Sequence, residues 1–101
     1  MFFTRLAELW MESIEGQVRG TTVRSYRFAI SHAAKYLGEQ ELGTITAESL
    51  GRLEEKLQGE QKSYRSVRLI FNAVRLALGY AEEQGMIPSN PARHYTIRKE
   101  S

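Results

Sequence analysis

The stretch Ser63-Tyr64-Arg65-Ser66-Val67-Arg68-Leu69-Ile70-Phe71-Asn72-Ala73-Val74-Arg75-Leu76-Ala77-Leu78-Gly79-Tyr80-Ala81 decides the fold class. Val67, Ile70, Phe71, Val74, Ala77, Leu78 and Ala81 recur at steps of three and four, the period of one face of an α-helix. Leu69 and Leu76 widen that arc, which predicts a central helix touched from several sides. Its charges are polarised along the axis, with Lys62, Arg65, Arg68 and Arg75 first and Glu82 and Glu83 last. That order opposes the helix macrodipole at both ends, and an anion docked at the amino end would reverse the sign of the effect.

Working back from this helix, glycines divide the chain into three more helical segments: Gly16 and Gly20 mark the first break, Gly38 and Gly43 the second, Gly59 the third, and Gly85 with Pro88 and Pro91 closes the last. In the first segment Phe3, Leu6, Trp10 and Ile14 form an apolar stripe, with Glu8, Glu12 and Glu15 off it. The second opens with Thr21-Thr22, either of which suits an N-cap, and Gly38 is a natural stop. There Val23, Tyr26, Ile30, Ala33 and Leu37 point one way, and Arg24, Arg27, Ser31 and Lys35 the other. Phe28 falls at the edge of the basic stripe and is assigned to a local contact with a loop. The third segment, capped by Thr46, turns Leu50, Leu53 and Leu57 inward and Arg52, Glu54, Glu55 and Lys56 outward. No segment shows the sustained alternation of a strand and no Asn-Gly or Asp-Gly turn is present. The chain is expected to be all-α, four helices in orthogonal or bundle-like packing.

Composition bounds the function. The chain has 101 residues, 42% hydrophobic and 26% charged, the size and balance of one globular domain. Having no cysteine, it excludes disulfides, thiolate metal sites and thiol nucleophiles and fits a reducing compartment. His32 and His94 have no carboxylate at a metal-ligand spacing, so no metal or cofactor is expected. No apolar run approaches a membrane span, and Glu8 and Glu12 interrupt any secretory signal, so the expected location is cytoplasmic. The net charge is only +2, but it is segregated. Arg19, Arg24, Arg27 and Lys35 lie in one window without acids, Gly16 to Gly38, and Lys62, Arg65, Arg68 and Arg75 in another, Gln61 to Ala81. Together these hold four plus four of the fourteen basic residues, a distribution that points to a polyanionic partner.

Catalytic chemistry is not encoded in any recognisable form: there is no phosphate-cradling glycine loop, no Gly-x-Ser-x-Gly elbow and no His-Glu-x-x-His pair. Arg93-His94-Tyr95 gathers three catalytic residue types, but neighbours on an irregular tail diverge and lack groups to orient them, so the segment reads as a linker.

The ordered set Phe3-x-x-Leu6-Ala7-Glu8-x-Trp10, Thr21-Thr22-x-x-x-Tyr26, Leu37-Gly38, Leu42-x-x-Ile45-Thr46 and Tyr80-Ala81-x-x-x-Gly85-Met86-Ile87-x-x-Asn90-Pro91 resembles the N-terminal core-binding domain of phage-integrase-type tyrosine recombinases. The resemblance implies a compact four-helix, SAM-like orthogonal bundle over residues 1–91, with 92–101 as the start of an interdomain linker carrying Arg93, Arg98 and Lys99. It also implies one half of a clamp on double-stranded DNA, held through the basic faces of the second and fourth helices. Mapped onto this chain, the contacts become Thr21, Thr22, Arg24 and Arg27, then Lys62, Ser63, Tyr64, Arg65 and Arg68, with Lys35 and Arg75 extending the two basic faces. Thr22 and Ser63 also serve as caps, and Tyr26 belongs to the core. A complete enzyme of this kind adds a catalytic domain, assembles as a tetramer on DNA and cleaves through a phosphotyrosine link. This chain ends where that domain would begin, so it is expected to bind and not to cleave.

Two other readings use the same residues. A helical protein-interaction module would pair the basic stripes with an acidic partner, whereas only DNA answers salt with a slope set by released counterions. A helix-turn-helix repressor needs a tighter turn than the seven residues from Gly38 to Thr44.

Overall fold

Helix α1 (Phe3–Ile14) buries Phe3, Leu6, Ala7, Trp10 and Met11, the stripe expected from the spacing, with Ile14 partly covered at its end. The computed structural model describes residues 1–98. The amino end of α1 is closed by the carboxyl end of helix α2 (Gly20–Leu37). Phe3 N–H donates to the Gln40 carbonyl at 3.0 Å, and the Thr4 N–H and hydroxyl both donate to the Gly38 carbonyl, at 3.0 and 2.9 Å. Donors left over at one helix start thus meet acceptors left over at another helix end. The Trp10 and Tyr26 rings, 5.3 Å apart, lock the two helices farther along.

Gly38 is a glycine for space, not for conformation. Its φ of −54° is ordinary right-handed backbone, but a Cβ there would meet the Ala34 carbonyl oxygen and come within 2.5 Å of Thr4 Oγ1. Gly38→Ala is therefore expected to cost about 1–3 kcal/mol through overpacking, read as a fall of several degrees in Tm. An unchanged Tm would show that α1 seats without this close approach.

Helix α2 begins at Gly20, not at a threonine cap. Arg19 holds the N-cap position with no side-chain hydrogen bond, and its carbonyl already accepts Val23 N–H at 3.0 Å, so Thr21 and Thr22 lie inside the first turn. The helix buries Ala29, Ile30, Ala33 and Leu37 and packs most extensively on helix α4 (Tyr64–Glu83). Phe28 departs from its expected loop contact: it is half exposed, with its ring edge-on to His32 one turn later, centroids 4.4 Å apart.

A single 3₁₀ turn, Leu42–Thr44, leads into helix α3 (Ala47–Gly59). Thr46 caps it as expected, in a reciprocal box with Ser49: each side-chain oxygen accepts the other's backbone N–H. Leu50, Leu53 and Leu57 face inward, and so does Glu54, which the sequence placed outside. Gln61, at φ 60°, turns the chain into α4, so the left-handed residue of this break follows Gly59 by two positions.

Helix α4 supplies eight buried residues, from Val67 to Ala81, and contacts each of the other helices. Leu76 does not share this burial: at 41% exposed it belongs to the outer face, so α4 is central on one side and open on the other. Gly85, at φ 75°, ends the helix, with Met86 N–H bonded to the Ala81 carbonyl and Gly85 N–H to the Glu82 carbonyl, the left-handed closure glycine permits. Asn90 then staples the chain back: its backbone N–H donates to Glu82, its side-chain amide donates to the Arg75 carbonyl, and its Oδ1 accepts Ala92 N–H. Ile87 and Ala92 are buried beneath this turn. Among the described residues the only β pairing is one isolated bridge, Phe2 with Glu41, and the fold is all-α as expected.

Candidate nucleic-acid interface

Two helix starts build the site. In α2 the N–H groups of Gly20, Thr21 and Thr22 precede the first helical hydrogen bond, and no side chain caps them. In α4 Ser63 Oγ accepts Ser66 N–H at 3.2 Å, and neither helix has an acid in its first turn. Both ends therefore present partial positive charge without a covalent counter-charge. They share one surface: Thr21, Thr22, Ser25 and Tyr26 of α2 meet Leu69 and Asn72 of α4 in a shallow valley of about 410 Å³. Leu69 and Asn72 also border a groove of about 510 Å³ that continues along Arg65, Arg68 and Arg75 to Tyr95 and Ile97.

The structure sorts the expected contact residues by what already holds them. Arg24, Arg65 and Arg68 are exposed and make no ion pair among the described residues. Arg27 pairs with Glu15 of α1 at 3.2 Å, and Lys35 and Lys62 converge on Glu60 at 3.1 and 3.5 Å. The Lys35 ammonium, aided by Lys62, holds the Glu60 carboxyl below the ordinary carboxylate range. Arg27 and Lys35 are exposed, and ion pairs at the surface are weakly held, so these two cations can exchange partners. Arg75 is placed differently: half buried, it donates Nε–H to the Ala92 carbonyl at 3.1 Å and an Nη–H to the Tyr95 carbonyl at 2.9 Å. Its guanidinium is engaged with the chain itself. Ser63 is the α4 cap and Tyr64 is half buried beside the groove.

The tail is not a loose connector. Tyr95 stacks on Phe71, rings 12° from parallel and 5.3 Å apart, and its hydroxyl donates to Glu54 at 2.6 Å. Arg93 pairs with Glu82, His94 points to solvent, and Ile97 packs against the core, while the expected Lys99 lies outside the described residues. Among the described residues no cluster of three metal-binding side chains occurs, and no helix is long and apolar enough to cross a membrane.

Residues 2–97, nearly the whole chain, match the model of the phage integrase SAM-like domain. The chain belongs to that family. As a phage integrase SAM-like domain it is similar to the tyrosine recombinase XerC of Shewanella amazonensis, 29% identical over 98 residues. That alignment covers 91% of this chain and 33% of the relative, so the chain spans about a third of the relative's length. Its fold is that of the integrase-like domain of Bacillus cereus solved in solution, with a TM-score of 0.88 at 19% identity over 99% of this chain and 86% of the other. The SAM-like fold read from the ordered helical motifs is therefore the fold of this chain.

Three residues, two in the valley and one on α3 beneath the tail, escaped the sequence reading. Ser25 and Asn72 line the valley but carry no charge, so counting cations passes over them. Asn72 had a legible signal, being a polar residue on the solvent side of α4 one turn from Arg68 and Arg75. Glu54 had none, because what buries it is a segment about forty residues away.

Proposed function

We propose that this SAM-like domain binds double-stranded DNA through the valley between α2 and α4, as the part of a tyrosine recombinase that holds the recombination core site. The observation that carries the reading is the convergence of Arg65 and Arg68, unpaired among the described residues, with an uncapped helix start on one concave surface. Cations and helix-start N–H groups suit phosphate oxygens, which fix position without reading sequence. Base readout needs side chains at groove edges. Arginine at Arg24, Arg65 or Arg68 suits guanine, and Asn72 suits the N6 and N7 edge of adenine, each good pair contributing about 1–3 kcal/mol of discrimination. In the full recombinase this domain works beside a catalytic domain that cleaves and rejoins DNA, in a tetramer on the recombining sites; binding is the share of that work assigned to this chain. An acidic protein partner is the competing reading, and it finds less support, because the valley's uncharged lining of Thr21, Thr22, Ser25 and Asn72 fits the mixed edges of a groove better than a carboxylate row.

An amide chemical-shift titration with a short duplex of arbitrary sequence at two salt concentrations tests this. Shifts at Thr21 to Arg24, Ser25, Arg65, Arg68 and Asn72 that fade as salt rises are expected, with a salt slope of roughly −0.9 per phosphate neutralised. No shifts at low salt, or shifts confined to the α1 face, would overturn the DNA reading in favour of a protein partner.

A further inference from the structure

Glu54 is the one charged side chain buried among the described residues, at 4% exposure, and no cation pairs with it. A carboxylate removed from water is costly unless hydrogen-bond donors replace its hydration. Two of its donors come from the tail: the Tyr95 hydroxyl at 2.6 Å and the Arg98 N–H at 2.7 Å, with Gln58 adding a longer bond at 3.3 Å. The tail is thus the solvation shell of Glu54. Burial, and the hydrogen bond to Glu54, push the Tyr95 phenol up to about 12, so it remains a donor at neutral pH.

The same segment is gripped from the opposite side. Arg75 donates to the carbonyls of Ala92 and Tyr95, and the Tyr95 ring lies flat on Phe71. Two oppositely charged residues, one on α3 and one on α4, therefore hold one stretch of backbone and one ring between them. Held in this way, Thr96 and Ile97 form a wall of the 510 Å³ groove opposite Arg65 and Arg68, and Arg98 shares a recess with Lys62 and Tyr64 at the start of α4.

We propose that Glu54, Tyr95 and Arg75 form a latch that makes residues 95–97 a wall of the basic groove and holds Arg98 in the recess beside Tyr64 at its edge, so that a buried carboxylate positions a DNA contact. This rests on the DNA reading above. Glu54 and Arg75 are positioning residues, and Arg98 is the cation they place. The prediction runs against simple electrostatics, in which removing any acid from a DNA-binding domain tightens binding.

The test is a double-mutant cycle in duplex affinity, with thermal unfolding measured alongside. Glu54→Met keeps the volume, suits a helix and removes both acceptors. It is expected to weaken binding roughly five- to tenfold at 0.1 M salt, the worth of one phosphate contact, and to make the salt slope shallower by about 0.9. Arg98→Gln is expected to cost the same alone and nothing further in the Glu54→Met background, the non-additivity that marks residues acting as a unit. Glu55→Gln, an equal charge change on the exposed side of α3, leaves affinity unchanged or slightly raised. Equal or tighter binding by a folded Glu54→Met, or full additivity with Arg98→Gln, overturns the latch. If Glu54→Met fails to fold, Tyr95→Phe carries the same cycle, since it removes one donor and keeps the stacked ring. Arg68→Glu separates the two readings. Should it weaken binding while Glu54→Met does not, only the latch falls; should neither matter, the DNA reading falls and the latch with it.

Discussion

Arg65→Glu combined with Arg68→Glu is expected to lower affinity for a short duplex by roughly two orders of magnitude at 0.1 M salt, each phosphate contact contributing a factor of about eight. The two arginines lie one turn apart on the open face of α4, bordering the groove, and make no ion pair among the described residues. Reversing them thus breaks nothing inside the molecule. The core face of α4, with Val67, Ile70 and Phe71, is untouched, and acidic residues near the amino end suit the macrodipole. Stability is expected to hold or rise slightly while binding collapses, a combination that misfolding cannot imitate. Anisotropy with a labelled duplex and thermal unfolding measure the two halves. Affinity within twofold of the unmodified domain would remove the α4 face from the interface. Arg27→Glu, which also follows from the sequence, is a less clean probe, because it breaks the pair with Glu15 and sets two carboxylates side by side.

Phe3→Ala is expected to have the largest effect on stability, about 3–5 kcal/mol, out of the roughly 5–15 kcal/mol typical of a whole domain. Phe3 is fully buried, and it stands where α1 docks on the end of α2, its own N–H on the Gln40 carbonyl and its neighbour Thr4 on Gly38. Removing the ring leaves a cavity at the point that also aligns these hydrogen bonds, so the site has little freedom to collapse around the loss. A Tm lower by about 20 °C follows for a chain of this size. Thermal unfolding decides it: a loss below about 1 kcal/mol would show that the α1 stripe is dispensable and that the core rests on α2 and α4 alone.

What the sequence made legible has a physical pattern. The burial of α4 and the α1 stripe follow from periodicity, which a helix translates directly into direction. Thr46 was readable as a cap because its partner, Ser49, stands within the same turn. The misreadings share the opposite property. Glu54 lies on the flank of the Leu50, Leu53, Leu57 stripe, and it is the returning tail that covers it, which no local period reports. Tyr95 and Ile97 carried a hint, being apolar residues on a segment read as a linker, but nothing local said that Phe71 would receive the ring. Leu76 fits the apolar period of α4 yet remains open because no neighbouring element reaches it. For the site, charge counting pointed to α2 and α4, the helices that border the valley, but did not separate Arg75, which holds backbone carbonyls, from Arg65 and Arg68, which make no ion pair among the described residues. That distinction depends on where residues 92–95 lie.

Both extremities of the described chain fasten to one short middle stretch. Phe2 bridges Glu41 at the approach to α3, and Arg98 reaches Glu54 within it, across 44 residues of sequence. In a small helical domain the ends ordinarily loosen first and independently, each with its own low opening energy. Here each end is bonded to the segment that runs from Glu41 to Glu54, so opening that segment loosens both at once, leaving the tail only its hold on Arg75 and Phe71 and α1 its bonds to Gly38 and Gln40. The two ends of the chain are therefore coupled through its middle.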